Sequence, residues 1–283
     1  MTKKIIALVD GSAYSKSVCD HAVWIANHSG YDVELMHVLG RREGGGGSDM
    51  SGAISLGARS ALLAELASLD EQRSKLVVHR GRAILEDAKA LFDAAGIRAT
   101  EHLRHGDLIE AISEKEGGAE MILIGKRGEA ADFAKGHLGS NLERILRAAS
   151  KPLFIASRAF QPIEKVLIAY DGSASAMRAV DYVSRAPLYA KLGIKIVTVG
   201  SATETIRKGL EDAKAMLAAA GLSAETGILP GQPEEVLGKL VEEAEFDHLV
   251  MGASGHSRLR SLFVGSTSLE MIRSCKVPIL LVR

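Results

Sequence analysis

Short apolar runs alternate with longer amphipathic stretches along this chain. Ile5-Ile6-Ala7-Leu8-Val9, Met121-Ile122-Leu123-Ile124 and Val166-Leu167-Ile168-Ala169 are apolar at every position. A strand half-exposed to water would alternate; continuous runs read as strands covered on both faces. The pattern predicts strands at 4–9, 33–39, 98–104, 120–125 and 152–156, then at 165–170, 194–199, 223–229, 248–252 and 278–282. Between the first set it predicts helices over 13–29, 54–95, 107–116 and 139–149. Gly96 and Gly221 stand where helix C-caps belong. Strands alternating with helices imply a parallel α/β sheet with right-handed crossovers.

The pattern is written twice. Lys4-Ile5-Ile6-Ala7-Leu8-Val9-Asp10-Gly11-Ser12 returns as Lys165-Val166-Leu167-Ile168-Ala169-Tyr170-Asp171-Gly172-Ser173. Asp87-Ala88-Lys89-Ala90, closed by Gly96, returns as Asp212-Ala213-Lys214-Ala215, closed by Gly221. Met121 to Gly125 returns as His248 to Gly252, and Lys151-Pro152 and its strand return at Val277-Pro278. Four matches in one order make a duplication, with the join near Phe160-Gln161-Pro162 and domains of 1–160 and 161–283.

One segment, about 41–75, occurs only in the first copy. It opens on Gly44-Gly45-Gly46-Gly47-Ser48, a tether, and continues into a helical stretch with Leu62, Leu66, Leu69 and Leu76 on one stripe. Such a stripe either covers the sheet of its own domain or offers a surface to a partner or a second subunit.

Composition narrows the function. The 283 residues are 47% hydrophobic and 25% charged, and 35 basic side chains balance 35 acidic ones. That balance argues against a general nucleic-acid binder and against a membrane-bound basic face. Aromatics are only 4% of the chain, which disfavours base-stacking platforms. No export signal and no membrane-spanning run is read, and Cys19 and Cys275 are too far apart for a redox or zinc pair. The expected location is the cytoplasm.

In an open parallel sheet, ligands bind beyond the carboxyl ends of the strands. Asp171 follows the first strand of copy two, where a carboxylate meets ribose hydroxyls or a phosphate-bound metal, or alternatively caps the next helix. Gly252 ends the fourth strand and Gly255 eases the turn after it. Gly265-Ser266-Thr267 opens the last helix, whose free N–H groups and hydroxyls suit a phosphate, with Arg258 and Arg260 in the loop between. Val199, at the end of the second strand, is a candidate to meet a purine edge with its main chain.

These residues resemble the universal stress protein family in its tandem form. Its ATP-binding members carry G-x2-G-x9-G-[ST], and Gly252, Gly255, Gly265 and Ser266 match without a spacing error. The resemblance implies two tandem open parallel five-stranded sheets of order 3-2-1-4-5, flanked by helices and packed as a pseudo-dimer through their last strands. It further implies Ala169, Tyr170 and Val199 around adenine and ribose. Met251, Gly252, Ser254, Gly255, Gly265, Ser266 and Thr267 would follow ribose and phosphates. Asp171 would reach Mg through the bound ATP. Pairing of whole chains into a homodimer fits the same resemblance.

Copy one departs from the motif. Gly125-Lys126-Arg127-Gly128 is followed by ten residues before Gly139-Ser140, and Asn141 replaces the counterpart of Thr267. Glu129 and Asp132 put acids where phosphate would enter, although Lys126 and Arg127 oppose them. Asp10, Val38, Gly125, Gly128, Gly139 and Ser140 therefore read as a degenerate site that does not hold ATP tightly.

Other constellations carry less. His102 and His105 lack a third ligand at metal spacing and read as structural. Cys19 and His21 face apart on their helix. There is no nucleophile elbow, Walker lysine motif or G-x-G-x-x-G, and no Ser-Gly-Gly pyrophosphatase loop as in related α-hydrolases. The leading expectation is a stress-response regulator switched by ATP through loop 253–264. A slow ATPase or phosphotransferase using His256, and a nucleotide-independent scaffold using 41–75 to hold an unknown protein partner, are the alternatives.

Overall fold

The computed structural model describes residues 3–40, 56–128, 138–243, 246–253 and 264–283. The first half contributes strands β1 (Lys4–Leu8), β2 (Asp32–Leu39), β3 (Ala99–His105), β4 (Ala119–Gly125) and β5 (Leu153–Ala156). The second contributes β6 (Lys165–Ala169), β7 (Gly193–Val199), β8 (Ala224–Leu229), β9 (His248–Gly252) and β10 (Ile279–Val282). Each agrees with its predicted run to within a residue or so. The helices are α1 (Ser15–Ser29), α2 (Leu56–Ala94), α3 (Leu108–Glu116), α4 (Ser140–Ala148), α5 (Ala174–Arg185), α6 (Glu204–Ala219), α7 (Pro233–Glu242) and α8 (Ser266–Ser274).

The ten strands among the described residues form one sheet of order β3-β2-β1-β4-β5-β10-β9-β6-β7-β8. Within each half the order is 3-2-1-4-5 and the pairing is parallel. The halves meet where β5 and β10 pair antiparallel, with Leu280 opposite Phe154 at the centre. Joining them there removes two open edges. The sheet is apolar throughout because both faces are covered. Successive side chains take opposite sides. Ile5, Phe154, Ile168 and Leu280 pack under α1, α2, α5 and α6. Ile6, Ile155, Leu167 and Ile279 pack under α3, α4, α7 and α8.

Gly96 and Gly221 have φ of 69° and 79°, the left-handed conformation of a helix stop. Helix α2 is the exception to close packing. Its 39 residues span roughly 58 Å, and among its described side chains those that join the buried core are C-terminal, at Leu85, Ala88 and Phe92. Leu62, Leu66, Leu69 and Leu76 are 38–69% exposed, so the stripe does not cover the sheet of its own half. The Gly-rich tether lies outside the described residues.

Aromatic and imidazole rings fill the seam between the halves. His248 stacks on Phe154 at 5.2 Å and on Tyr189 at 6.0 Å, and His21 meets Phe154 at 5.4 Å. His248 Nδ1 and Nε2 reach Pro278 O and the Tyr189 hydroxyl at 3.0 and 3.2 Å. Burial holds both imidazoles neutral, with His248 lowered to about 3 and His21 to about 4.

Candidate functional site

Site two begins at the turn after β6. Asp171 Oδ1 accepts the N–H of Ser173 at 2.9 Å, and Gly172 takes φ 80°, a conformation that an L side chain would strain. Ser173, not Asp171, caps α5, its hydroxyl accepting the N–H of Ala176 at 3.2 Å. The capping alternative for Asp171 is thereby removed. Asp171 instead lines a cavity of about 190 Å3.

That cavity gathers Ala169, Tyr170, Asp171, Val199, Met251, Gly252, Gly265, Ser266 and Thr267, nine of the eleven residues expected from the sequence. Ser254 and Gly255 lie outside the described residues, as do His256, Arg258 and Arg260. Three strand ends and one helix N-terminus thus converge at the carboxyl edge of the sheet, where open α/β sheets bind ligands. Val199 lies two residues past Val197, the last β7 residue registered with β6. Tyr170 is 5% exposed, and a Cβ on Gly209 of α6 would lie 2.7 Å from its hydroxyl, so its ring packs toward α6.

The N-terminus of α8 is the candidate cradle for an anion. Gly265 is the N-cap and has no side chain to occupy the first N–H groups. Ser268 turns its hydroxyl back to Gly252 O at 3.1 Å, tying the helix to the end of β9. Gly252 itself admits no side chain, because a Cβ there would lie 2.4 Å from Ser175 Oγ and 2.7 Å from Ala176 N. The sequence reading missed Val197, Pro233, Leu237 and Ser268 in the lining. It also missed Glu234, whose carboxylate accepts the Thr267 hydroxyl at 2.7 Å. Pro233 at the first turn of α7 was the available signal, since it starts a helix beside the site.

The donors suit a nucleotide-borne Mg ion. Among the described residues no three His, Cys, Asp or Glu side chains cluster as a self-sufficient metal site. Mg is commonly held by one or two carboxylates together with substrate phosphates. Asp171 borders the cavity, and Glu234 bonds a residue of the cradle.

Site one has a cavity of about 190 Å3 in the corresponding place, lined by Asp10, Val38, Gly125, Gly128 and Gly139 among others. Ser140 borders the adjoining groove with Arg73, Arg80 and Gly81 of α2. The Asp10 turn repeats that of Asp171, with Oδ1 accepting Ser12 N at 3.0 Å and Gly11 at φ 77°. Arg127 and Arg144 add cations, and Arg144 pairs with Asp107, whose carboxyl it holds below the ordinary range. Glu129 and Asp132 lie outside the described residues.

The remaining candidates fall elsewhere. His102 Nε2 stands 3.6 Å from Glu34 on the neighbouring strand, and burial chiefly lowers its pKa. Cys19 and Cys275 are both buried and unpaired, and burial pushes the Cys19 thiol to about 12. Among the described residues no helix is long and apolar enough to cross a membrane.

Comparison with known proteins adds the lineage. The profile of the Universal stress protein family matches residues 1–157 and 199–283. Universal stress protein Slr1230 of Synechocystis sp. is 35% identical over 286 aligned positions, covering 99% of this chain and 100% of that protein. A crystal structure of a universal stress protein from Archaeoglobus fulgidus aligns over 99% of this chain and 98% of its own, with TM-score 0.75 and 22% identity. A Pseudomonas aeruginosa structure aligns over 99% and 93%, with TM-score 0.64 and 17% identity. At those identities the two structures speak to the fold alone.

Proposed function

This chain belongs to the universal stress protein family, and from that premise we propose that its second half, 161–283, binds ATP with Mg and acts as a nucleotide-dependent regulator in the cytoplasm. The observation carrying the reading is the convergence of Ala169, Asp171, Val199, Gly252 and the Gly265-Ser266-Thr267 cradle on one cavity. Residues far apart in sequence meet where a phosphate, a ribose and a base each find suitable chemistry: free N–H groups and hydroxyls, a carboxylate, and an apolar strand end. Two buried, unpaired cysteines support a reducing compartment.

The test is calorimetric titration of nucleotide-stripped full-length protein with Mg–ATP, with Gly265→Val as the comparison. One site per chain, lost in the variant, is expected. A second site surviving the substitution would assign nucleotide to site one as well. Absence of binding would overturn the reading.

One observation favours a second reading. The leucines on the N-terminal part of α2 are exposed, which suits a scaffold that holds a partner without nucleotide. Deleting 41–75 would then abolish partner capture and leave Mg–ATP binding intact.

A further inference from the structure

The two cradle helices are each anchored by a cation from the opposite half of the molecule. Lys126 follows Gly125 in the site-one loop, yet its Nζ donates to the main-chain carbonyl of Cys275. Cys275 is the C-cap of α8, whose N-terminal residues border site two. In the reverse direction, Arg283 follows Val282, which is registered with Gly252 and accepts the N–H of Ala253 at 2.8 Å. The Arg283 guanidinium donates to the carbonyl of Leu146, in the last turn of α4. The N-cap of α4, Gly139, borders site one.

Both contacts answer the same physical need. The last carbonyls of a helix have no partner within it and carry the negative end of its dipole. Neither cation is repeated by the duplication: Ala253 occupies the position matching Lys126, and Ser157 the position matching Arg283. Their main-chain neighbours do repeat, since Ser17 Oγ donates to Ser157 O at 2.8 Å and Arg178 Nε to Arg283 O at 2.6 Å. What differs is the pair of crossing side chains. Lys126 is 8% exposed, so its ammonium is committed to the crossing rather than to solvent.

The geometry points to energetic coupling between the two sites through these crossed caps, so that an occupant of one changes the affinity of the other. Each cradle helix has nine residues, about 13 Å. Over so short a rod, a shift at the N-terminus is felt at the C-terminus. An anion drawn to the α8 cradle moves the acceptor of Lys126, and Lys126 is bonded through the chain to Gly125. Gly125 has little room to absorb the movement, because a Cβ there would lie 2.6 Å from Tyr14 Cβ. Reciprocity follows from linkage, so site one acts on site two by the same factor.

The ligand arm of the test rests on the proposed nucleotide site; the ligand-free arm does not. Amide hydrogen exchange is followed on the full chain for wild type, Lys126→Met and Arg283→Met, with and without Mg–ATP. Equilibrium dialysis of the same samples reports bound nucleotide, and urea unfolding confirms that each variant is folded. With nucleotide bound, exchange in α4 and in 121–128 of the wild type should slow at least threefold. Both variants should still bind within threefold of wild type and lose that remote effect. Unchanged exchange in the first half, with nucleotide demonstrably bound, would overturn the coupling. Absence of binding would instead remove the nucleotide reading, and the ligand-free arm then decides. There, Lys126→Met should speed exchange of the α8 amides from Leu269 onward at least threefold. Unchanged α8 exchange would overturn the inference.

Discussion

The Thr267 hydroxyl donates to Glu234 Oε1 at 2.7 Å, which brings a carboxylate to the cradle of site two. Thr267 opens α8 and Glu234 lies in the first turn of α7, so the bond also ties two helix N-termini together. On the proposed nucleotide reading, a free phosphate at Thr267 would be repelled by that negative charge, whereas a bound cation would offset the repulsion for a metal-bound one.

Glu234→Gln should therefore strengthen binding of ATP in EDTA more than binding of Mg–ATP. A unit charge about 4 Å away is worth roughly 1–4 kcal/mol at surface-like dielectric, and the partial exposure of Glu234 favours the low end. The expected gain without metal is about three- to tenfold, read by titration in the two buffers. Equal gains in both would show that the carboxylate is indifferent to the metal.

The space at Gly252 gives a second prediction. A Cβ there would meet the main chain of α5 at Ala176 N, 2.7 Å away, and main chain cannot swing aside as a flexible side chain does. Gly252→Ala should lower stability by about 1–3 kcal/mol and weaken Mg–ATP binding at least tenfold. Gly238, inside α7, has open space around its Cβ position. The same substitution there should raise stability by about 0.5–1 kcal/mol. Urea unfolding of both variants decides whether crowding or backbone entropy governs each position.

Much of this architecture is legible in the sequence. Strands buried on both faces announce themselves as unbroken apolar runs such as Leu249-Val250-Met251, and duplication fixed which runs correspond. The site-two lining was readable because it consists of main-chain turns and glycines at set distances, which leave a spacing in the chain. Side-chain destinations leave no such spacing. Lys126 read as a loop cation facing phosphate, whereas it reaches into the other half to cap α8. Glu234 lies in the first turn of α7, where the dipole favours an acid anyway, so nothing in the sequence singles it out. Tyr170 lines the cavity, but its ring turns toward α6, a direction that follows from the small residue Gly209 on another helix.

The seam between the halves predicts a pH dependence. His21 and His248 are buried neutral, lowered from 6.5 to about 4 and about 3, chiefly by desolvation. An unfolded chain takes up their protons first as pH falls, so these groups make stability rise with pH. Their contribution is complete above pH about 6.5 and is lost as pH falls toward 4 and then 3. His248→Gln should be less stable at neutral pH, yet its stability should fall less steeply between pH 6 and 4.5. The slope should ease by up to about 1.4 kcal/mol per pH unit, one proton's worth. Identical slopes from urea unfolding across that range would show that His248 titrates in the folded chain.

The exposed leucines of α2 separate packing from surface on a single helix. Leu69 is 55% exposed, whereas Leu85, sixteen residues on, is 3% exposed and sits in the core beneath α2. Burial of a leucine is worth about 1.5–3 kcal/mol, and truncating a buried one leaves a cavity besides. Leu85→Ala should therefore cost about 2–5 kcal/mol of unfolding free energy. Leu69→Ala should stay within about 0.5 kcal/mol, as surface changes do. Both are measured by urea unfolding at two protein concentrations tenfold apart. A large loss for Leu69→Ala that shrinks on dilution would mean that a second copy covers the stripe in solution. A loss independent of concentration would mean that the chain's own residues cover it. A small loss at both concentrations would leave the stripe open to another partner, as the scaffold reading requires.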